Sequence, residues 1–237
     1  MTLHALPDTF ARTRRSLHLL HFYALSYARQ QSDGEVWLSP SPSGITTPPF
    51  GGRALRVEGT HLIEEVDGTE VRRAPITTLR AALGFAGVEF DRARGKRNDI
   101  EVPVDLDEVL AVDEVAVDAL AEWFLLGERV LTGILDSATD ADQTAIRLWG
   151  EHFDLAIETG SEERRRRASV GFAPGDEHIA EPYAYVAPWW KDDVSDLLGD
   201  TESFGGVAMR YSELVGVVDP DAAAHEFLAR VLGALAA

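Results

Sequence analysis

The 237-residue sequence contains no cysteine and only two lysines, Lys96 and Lys191. Without cysteine there can be no disulfides, no thiolate nucleophiles and no cysteine-type zinc sites, so a bound metal would need histidine and carboxylate ligands. The chain also has no apolar run near the ~18 residues that a membrane-spanning helix needs. We therefore expect a protein of a reducing compartment, the cytoplasm, with no membrane association.

Several sequence motifs are also missing. The chain has no phosphate-binding loop, no dinucleotide-binding glycine pattern and no Gly-x-Ser-x-Gly, so nothing indicates nucleotide-dependent or serine-hydrolase chemistry.

Forty acidic residues against 22 basic ones give a net charge of -18, which repels the phosphates of nucleic acids. We therefore expect no nucleic-acid partner. The oligomeric state is left open.

Helical spacing of apolar residues indicates three principal helices. The first covers about the first 30 residues, with Asp8 as its cap. The second, over 113–135, keeps one apolar face. The third starts at Asp219-Pro220, a capping residue followed by a first-turn proline. A shorter helix is predicted over 76–87, starting at Thr77 or Thr78 and ending near a glycine.

Strand patterns are more numerous than helical ones. Three short strands are predicted over 54–74, with Asp67-Gly68 as a two-residue hairpin turn between the last two. The segment from Ala145 to Glu158 is the longest strand candidate, but its alternation changes phase at Gly150, which predicts a bulge or kink there. Four further strands are predicted, over 100–104, 168–172, 183–187 and 206–211. A short helix is predicted over 194–198.

Because strands come in clusters and no regular βαβ alternation is present, the sequence predicts an α+β fold. We expect a single domain over residues 1–237 with one mixed but mainly antiparallel sheet.

Two stretches place carboxylates around a histidine: L-W-G-E-H-F-D-L at 148–155 and G-D-E-H-I-A-E-P at 175–182. If 168–173 pairs with 152–158 as a hairpin, the loop that follows returns to His152. The two stretches should then face one another, with His152 close to at least one of Asp176, His178 and Glu181. The plainer alternative is a half-buried strand and an ordinary turn in which Asp176 binds its own backbone.

Two classes of function follow from these residues, and whether the protein is an enzyme stays open. The leading prediction is a small-ligand binding protein with an aromatic-lined pocket, formed by Trp149, His152, Asp154, Tyr183, Tyr185 and Trp189. The alternative is a metal-dependent hydrolase whose divalent metal is held by His152, Asp154, Asp176, His178 and Glu181. A protein-interaction role would instead show as a large exposed apolar patch.

The chain also resembles a family of bacterial proteins, common in actinobacteria and known only as a domain of unknown function. The resemblance rests on L-W-G-E-H-F-D-L-A at 148–156, on P-G-D at 174–176, on E-P-Y at 181–183 with Tyr185 and Pro188-Trp189, and on early L-H-L-L-H and L-S-P…G-I-T-T…P segments. The family has proline at the position of Gly150 and a shorter loop in place of E-E-R-R-R-R. The resemblance implies one domain in a bacterial cytoplasm and carries no activity with it.

Overall fold

The computed structural model describes residues 2–97, 105–137, 142–191, 202 and 204–236. The chain contains two antiparallel five-stranded sheets together with several helices, which confirms the predicted α+β class but replaces the expected single sheet by two. The strand predicted over 100–104 and the short helix over 194–198 lie outside the described residues.

The chain divides into two compact units. The N-terminal unit comprises Leu6–Glu122 and Leu148–Phe153. The C-terminal unit comprises Met1–Ala5, Trp123–Arg147 and Asp154–Ala237. That the whole chain acts as one domain stays a prediction.

The N-terminal unit begins with the predicted helix, which the structure divides into three segments. These are α1 (Phe10–Leu19), a π-helix (Leu20–Leu25) and α2 (Ser26–Asp33). All six residues of the π-helix are buried. The cap of α1 is Thr9 and not Asp8 as predicted, and the Thr9 side chain makes no capping hydrogen bond.

The sheet of the N-terminal unit confirms the hairpin prediction. Its strands follow one another in sequence order: β1 (Ser39–Ser41), β2 (Gly44–Thr46), β3 (Ala54–Glu58), β4 (His61–Val66) and β5 (Thr69–Pro75). Asp67 and Gly68 between β4 and β5 have φ of 50° and 73°, the left-handed backbone that a two-residue hairpin turn requires.

Three helices follow the sheet: α3 (Leu79–Ala86), α4 (Arg92–Arg97) and α5 (Glu114–Ser137). The Thr78 side chain caps α3 by accepting the backbone N–H of Ala81, as predicted. Asp113 caps α5 in the same way by accepting the N–H of Ala116.

The C-terminal unit is organised around the second sheet, in the order β10-β9-β8-β7-β6. The strands are β6 (Arg147–Leu148), of which only Arg147 belongs to this unit, β7 (Leu155–Thr159), β8 (Ala168–Ala173), β9 (Tyr183–Pro188) and β10 (Val207–Arg210). The helices are α6 (Tyr211–Leu214) and α7 (Pro220–Ala236). Asp219 caps α7 through the N–H of Ala222, as predicted.

The prediction of one long strand over 145–158 is wrong, because the structure has two short strands there. The predicted interruption at Gly150 does lie between them. The chain reverses between β6 and β7, so that the Thr144 N–H binds the Glu158 carbonyl at 3.1 Å and the Glu158 N–H binds the Thr144 hydroxyl at 2.8 Å. Within the reversal, Phe153 has φ of 55°, which is uncommon for a residue other than glycine. The phase change in the sequence therefore marks a turn between two strands and not a bulge within one.

One face of the second sheet is buried against α5. Leu155, Ile157, Val170 and Phe172 alternate along β7 and β8 and are fully buried. The chain of α5 approaches Phe172 so closely that a Cβ at Gly127 would lie 2.7 Å from its ring. Because successive side chains of a strand point to opposite faces, the other residues of these strands form a second, outer face.

Candidate functional site on the outer face of the second sheet

The predicted pairing of 168–173 with the strand that follows His152 is confirmed. The register runs from Leu155 opposite Phe172 to Thr159 opposite Ala168. Since the chain returns antiparallel, the loop after Ala173 leaves the sheet at the end where Asp154 lies. This hairpin brings the predicted residues Asp154, Asp176, Tyr183 and Tyr185 into one cluster of contacts within the C-terminal unit.

Tyr185 and Asp154 form the first polar contact of this outer face. The Tyr185 hydroxyl donates a hydrogen bond to Oδ2 of Asp154, a residue that is only 6% exposed. The ring reaches this carboxylate by lying across Gly171 of β8, where a Cβ would be 2.9 Å from two ring carbons and 2.7 Å from the Leu155 carbonyl oxygen. The contact between Tyr185 and Asp154 therefore requires glycine at position 171.

Tyr183 and Asp176 form the second polar contact. The Tyr183 hydroxyl donates to Oδ2 of Asp176 at 2.5 Å, while Oδ1 accepts the backbone N–H groups of His178 at 2.6 Å and Ile179 at 2.9 Å. Asp176 thus satisfies its own backbone, as in the plainer alternative. It also holds a tyrosine side chain, which that alternative did not include.

Phe204 adds a third ring to these two tyrosines. The ring centroids are 6.0 Å apart for Tyr183 and Tyr185, 6.0 Å for Tyr183 and Phe204, and 6.1 Å for Tyr185 and Phe204. Phe204 is stacked on Tyr183 with planes 21° apart and meets Tyr185 edge-on at 74°. We call these three rings the aromatic triad. Tyr183 is buried, whereas Tyr185 and Phe204 are partly buried.

Charged groups lie at all three rings of the triad: the carboxylates of Asp154 and Asp176 accept from the two tyrosine hydroxyls, and the Lys191 ammonium donates to the Phe204 carbonyl. Burial and the hydrogen bond to Asp176 raise the pKa of Tyr183, and burial and the charge of Asp154 raise the pKa of Tyr185, so both hydroxyls keep their protons. Burial alone would raise the pKa of Asp176, but the hydrogen bonds from Tyr183, Ile179 and His178 outweigh it and lower that pKa. Asp176 is therefore held as a carboxylate.

Glu158 and Trp189 extend the outer face beyond the triad. One oxygen of Glu158 accepts the Ser169 hydroxyl at 2.7 Å and the other accepts the Trp189 indole N–H at 2.7 Å. The guanidinium of Arg167 lies 5.0 Å from the centroid of the Trp189 ring. Trp189 thus contacts Glu158 on the outer face, and a guanidinium of the protein already lies over its ring. That Trp189 lines a ligand pocket stays a prediction.

Two predicted residues, Trp149 and His152, lie in the N-terminal unit. His152 is exposed and Trp149 is half-buried. Asp154 and the loop 175–182 belong to the C-terminal unit. The predicted meeting of His152 with Asp176, His178 or Glu181 therefore stays a prediction.

The turn that carries His152 serves a structural purpose that the sequence did not indicate. His18 Nε2 donates to the Gly150 carbonyl at 2.9 Å, and His21 Nε2 donates to the Leu148 carbonyl at 3.3 Å. The Phe153 ring stacks on His18 with centroids 5.3 Å apart. These two helix histidines fasten the L-W-G-E-H-F segment within the N-terminal unit.

The remaining predicted metal ligands have other partners. Glu181 accepts the backbone N–H of Ser212 at 2.7 Å and its hydroxyl at 3.0 Å, at the start of α6. His178 is exposed and lies 3.7 Å from Glu177. Within the described ranges, no group of three or more histidine and carboxylate side chains is arranged to hold a metal ion. The metal-binding set stays a prediction without geometric support.

Sequence reasoning missed two residues of this face, Phe204 and Gly171. Phe204 is separated from the tyrosines by a long connection, so no local pattern relates it to them. Gly171 carried a usable signal, because a glycine inside a strand often marks the close approach of another group.

No family model, no curated protein and no solved structure matches this chain. The resemblance to an actinobacterial family therefore stays a prediction. None of the described helices combines the length and the apolar character that crossing a bilayer demands.

Proposed function

We propose that the protein binds a small organic ligand on the outer face of the second sheet, at the aromatic triad. The observation that supports this proposal is the triad itself: three rings within about 6 Å of one another, two of them bonded through their hydroxyls to Asp154 and Asp176. Apolar aromatic walls with a few fixed polar groups are the usual composition of small-ligand sites.

The polar contacts of the triad favour binding over a purely structural role. Both tyrosine hydroxyls are directed by carboxylates, so the orientation of the rings is fixed before a ligand arrives. Pre-ordered side chains lower the entropy cost of binding. Tyr185 and Phe204 are also partly exposed, which leaves aromatic surface for contact.

The proposal retains a bacterial cytoplasm as the compartment, supported by the absence of cysteine. The metal-dependent hydrolase remains the alternative, and elemental analysis of protein purified without chelator tests it. Stoichiometric zinc, iron or manganese would favour the hydrolase over the binding protein.

Thermal unfolding in the presence of a small-molecule panel tests the proposed binding. The panel contains organic cations, neutral aromatic and aliphatic compounds, and organic anions. A ligand that binds only the folded state stabilises it by about 2.7 kcal/mol at a hundred times its Kd, so a hit raises Tm with concentration. We expect at least one class to raise the Tm of the wild type, and we expect Phe204→Ala to abolish that rise.

The matched control is Phe90→Ala, which removes another partly exposed phenylalanine, one that packs on Tyr23 in the N-terminal unit. It should leave the ligand-dependent rise intact. A panel that leaves the wild-type Tm unchanged throughout, or a rise that survives Phe204→Ala, contradicts binding at the triad.

A further inference from the structure

We infer that a cleft in the N-terminal unit binds a free amino acid with a small apolar side chain, whose carboxylate contacts Arg12 and whose ammonium group contacts Asp113. The cleft belongs to a different unit from the aromatic triad, so this inference does not depend on the proposed function. It rests on the size and lining of the cleft, on two opposite charges in its wall that are not paired with each other, and on the fixed position of one of them.

The cleft lies between the start of α1 and the residues that lead into α5. It has a volume of about 220 Å³, and its wall is formed by Thr9, Arg12, Thr13, Ala111, Val112 and Asp113. That volume corresponds to about seven water molecules at ~30 Å³ each. A free amino acid fits this space, whereas a nucleotide is too large for it.

Ala111 and Val112 make part of the wall apolar. Ala111 is exposed and Val112 is half-buried, so both side chains have surface that a ligand can cover. Removing apolar surface from water is favourable. A ligand with a small apolar side chain, such as valine, therefore gains more from this wall than one with a polar side chain.

The wall also carries one positive and one negative side chain. Arg12 is exposed and Asp113 is half-buried. In the part of the chain that the structure describes, neither of them forms an ion pair, with the other or with a third group. A ligand with a single charge is attracted by one of these groups and repelled by the other. A ligand with both a carboxylate and an ammonium group can form a charge-assisted hydrogen bond with each of them.

Two hydrogen bonds hold Asp113 in place. Its backbone N–H donates to the hydroxyl of Thr13 at 3.1 Å, and Thr13 is only 1% exposed, so this bond joins α1 to the start of α5. Its Oδ1 accepts the backbone N–H of Ala116, also at 3.1 Å, which sets the orientation of the carboxylate. Because the carboxylate is ordered before a ligand arrives, the entropy cost of binding is lower.

An NMR titration of the backbone N–H signals with three compounds of one shape tests the inference. Valine carries both charges, valinamide has a neutral amide in place of the carboxylate, and 3-methylbutanoate lacks the ammonium group. We expect valine to bind about tenfold or more tightly than either of the others, because each of them loses one charge-assisted hydrogen bond. The N–H signals of residues 111–113 should shift on addition of valine.

Two variants assign the charges to the two ends of the ligand. Arg12→Gln and Asp113→Asn should each weaken valine binding by about tenfold or more. Arg12→Gln should also remove the preference for valine over valinamide, and Asp113→Asn the preference for valine over 3-methylbutanoate. Asparagine keeps a side-chain oxygen that can cap α5, so the second variant removes the charge without removing the cap.

Arg164→Gln and Asp118→Asn are the charge-matched controls, because each changes an exposed residue that does not line the cleft. Both should leave valine binding unchanged. Circular dichroism reports the fold of each variant, and Arg12→Gln, at an exposed position, keeps the test decisive if Asp113→Asn does not fold.

Three results would overturn the inference. The first is that valine does not bind, or shifts only signals away from the cleft. The second is that valinamide or 3-methylbutanoate binds as tightly as valine. The third is that valine binding is unchanged in a folded Arg12→Gln or Asp113→Asn variant.

Discussion

At the scale of single residues, the candidate site depends on one glycine. Gly171 lets the Tyr185 ring lie across β8 and reach Asp154, because any Cβ there would overlap the ring and a backbone oxygen. The tyrosine in turn covers the glycine, which compensates for the missing side chain of that strand position. A change of one methyl group thus bears on stability and on the geometry of the site together.

We predict that Gly171→Ala destabilises the protein by about 1–3 kcal/mol, since a new methyl group in a filled position forces its neighbours to move. Its Cβ would lie 2.7 Å from the Leu155 oxygen and 2.9 Å from the Tyr185 ring. Urea unfolding measures the change in the free energy of unfolding. Ligand binding at the triad should weaken as well, because Tyr185 is displaced.

Gly84→Ala is the matched control for this prediction. Gly84 lies within α3 on its exposed side, and nothing is within 4 Å of an added Cβ. The same substitution should therefore stabilise the protein by about 0.5–1 kcal/mol, as expected for glycine inside a helix. Equal effects at the two positions would show that Gly171 is not in a restricted position.

At the scale of secondary-structure elements, helix starts differ in how well they are capped. The Thr78 hydroxyl accepts an N–H of the first turn of α3, whereas the Thr9 side chain at the start of α1 makes no such bond. The two residues are of the same type and in equivalent positions, so they allow a direct comparison.

We expect Thr78→Ala to lower the free energy of unfolding by about 1 kcal/mol, the usual effect of removing a capping hydroxyl. Thr9→Ala should stay within about 0.5 kcal/mol of the wild type, because no capping bond is lost. Chemical denaturation of both variants provides the measurement. A loss at Thr9 as large as that at Thr78 would be inconsistent with the capping geometry.

At the scale of the whole molecule, the partly buried His18 and the fully buried His21 make stability depend on pH. The pKa of His18 is lowered to about 4 and that of His21 to about 3, mainly because burial disfavours their charged forms. The ordinary pKa is 6.5, so between pH 6.5 and 4 the unfolded chain binds more protons than the folded one. The stabilisation is therefore fully present above pH 6.5 and is lost as the pH falls towards 4.

We predict that the free energy of unfolding falls from pH 7 to pH 5, with a slope of at most about 1.4 kcal/mol per pH unit for each histidine. His18→Gln should make this slope shallower while keeping a donor for the Gly150 carbonyl. His178→Gln, at an exposed histidine, should leave the slope as in the wild type. A wild-type free energy that does not change over this range would contradict the prediction.

Local signals in the sequence were sufficient for most elements. The Asp67-Gly68 turn, the Thr78 cap and the Asp219-Pro220 helix start were predicted correctly, because each depends on the backbone preferences of a few adjacent residues. The α+β class followed from the same patterns. The pairing of 168–173 with the strand after Asp154 was also predictable, since a hairpin joins neighbouring segments.

Tertiary structure decided what these local signals left open. The phase change at Gly150 fits a bulge and a turn equally well, and the turn is favoured by contacts with His18 and His21, more than 120 residues earlier in the chain. Phe204 joins the two tyrosines only through the packing of β9 and β10. The sequence by itself thus determined most elements and half of the candidate site. Contacts between distant residues determined where the chain reverses and which rings come together, because such contacts form only once the sheets are assembled.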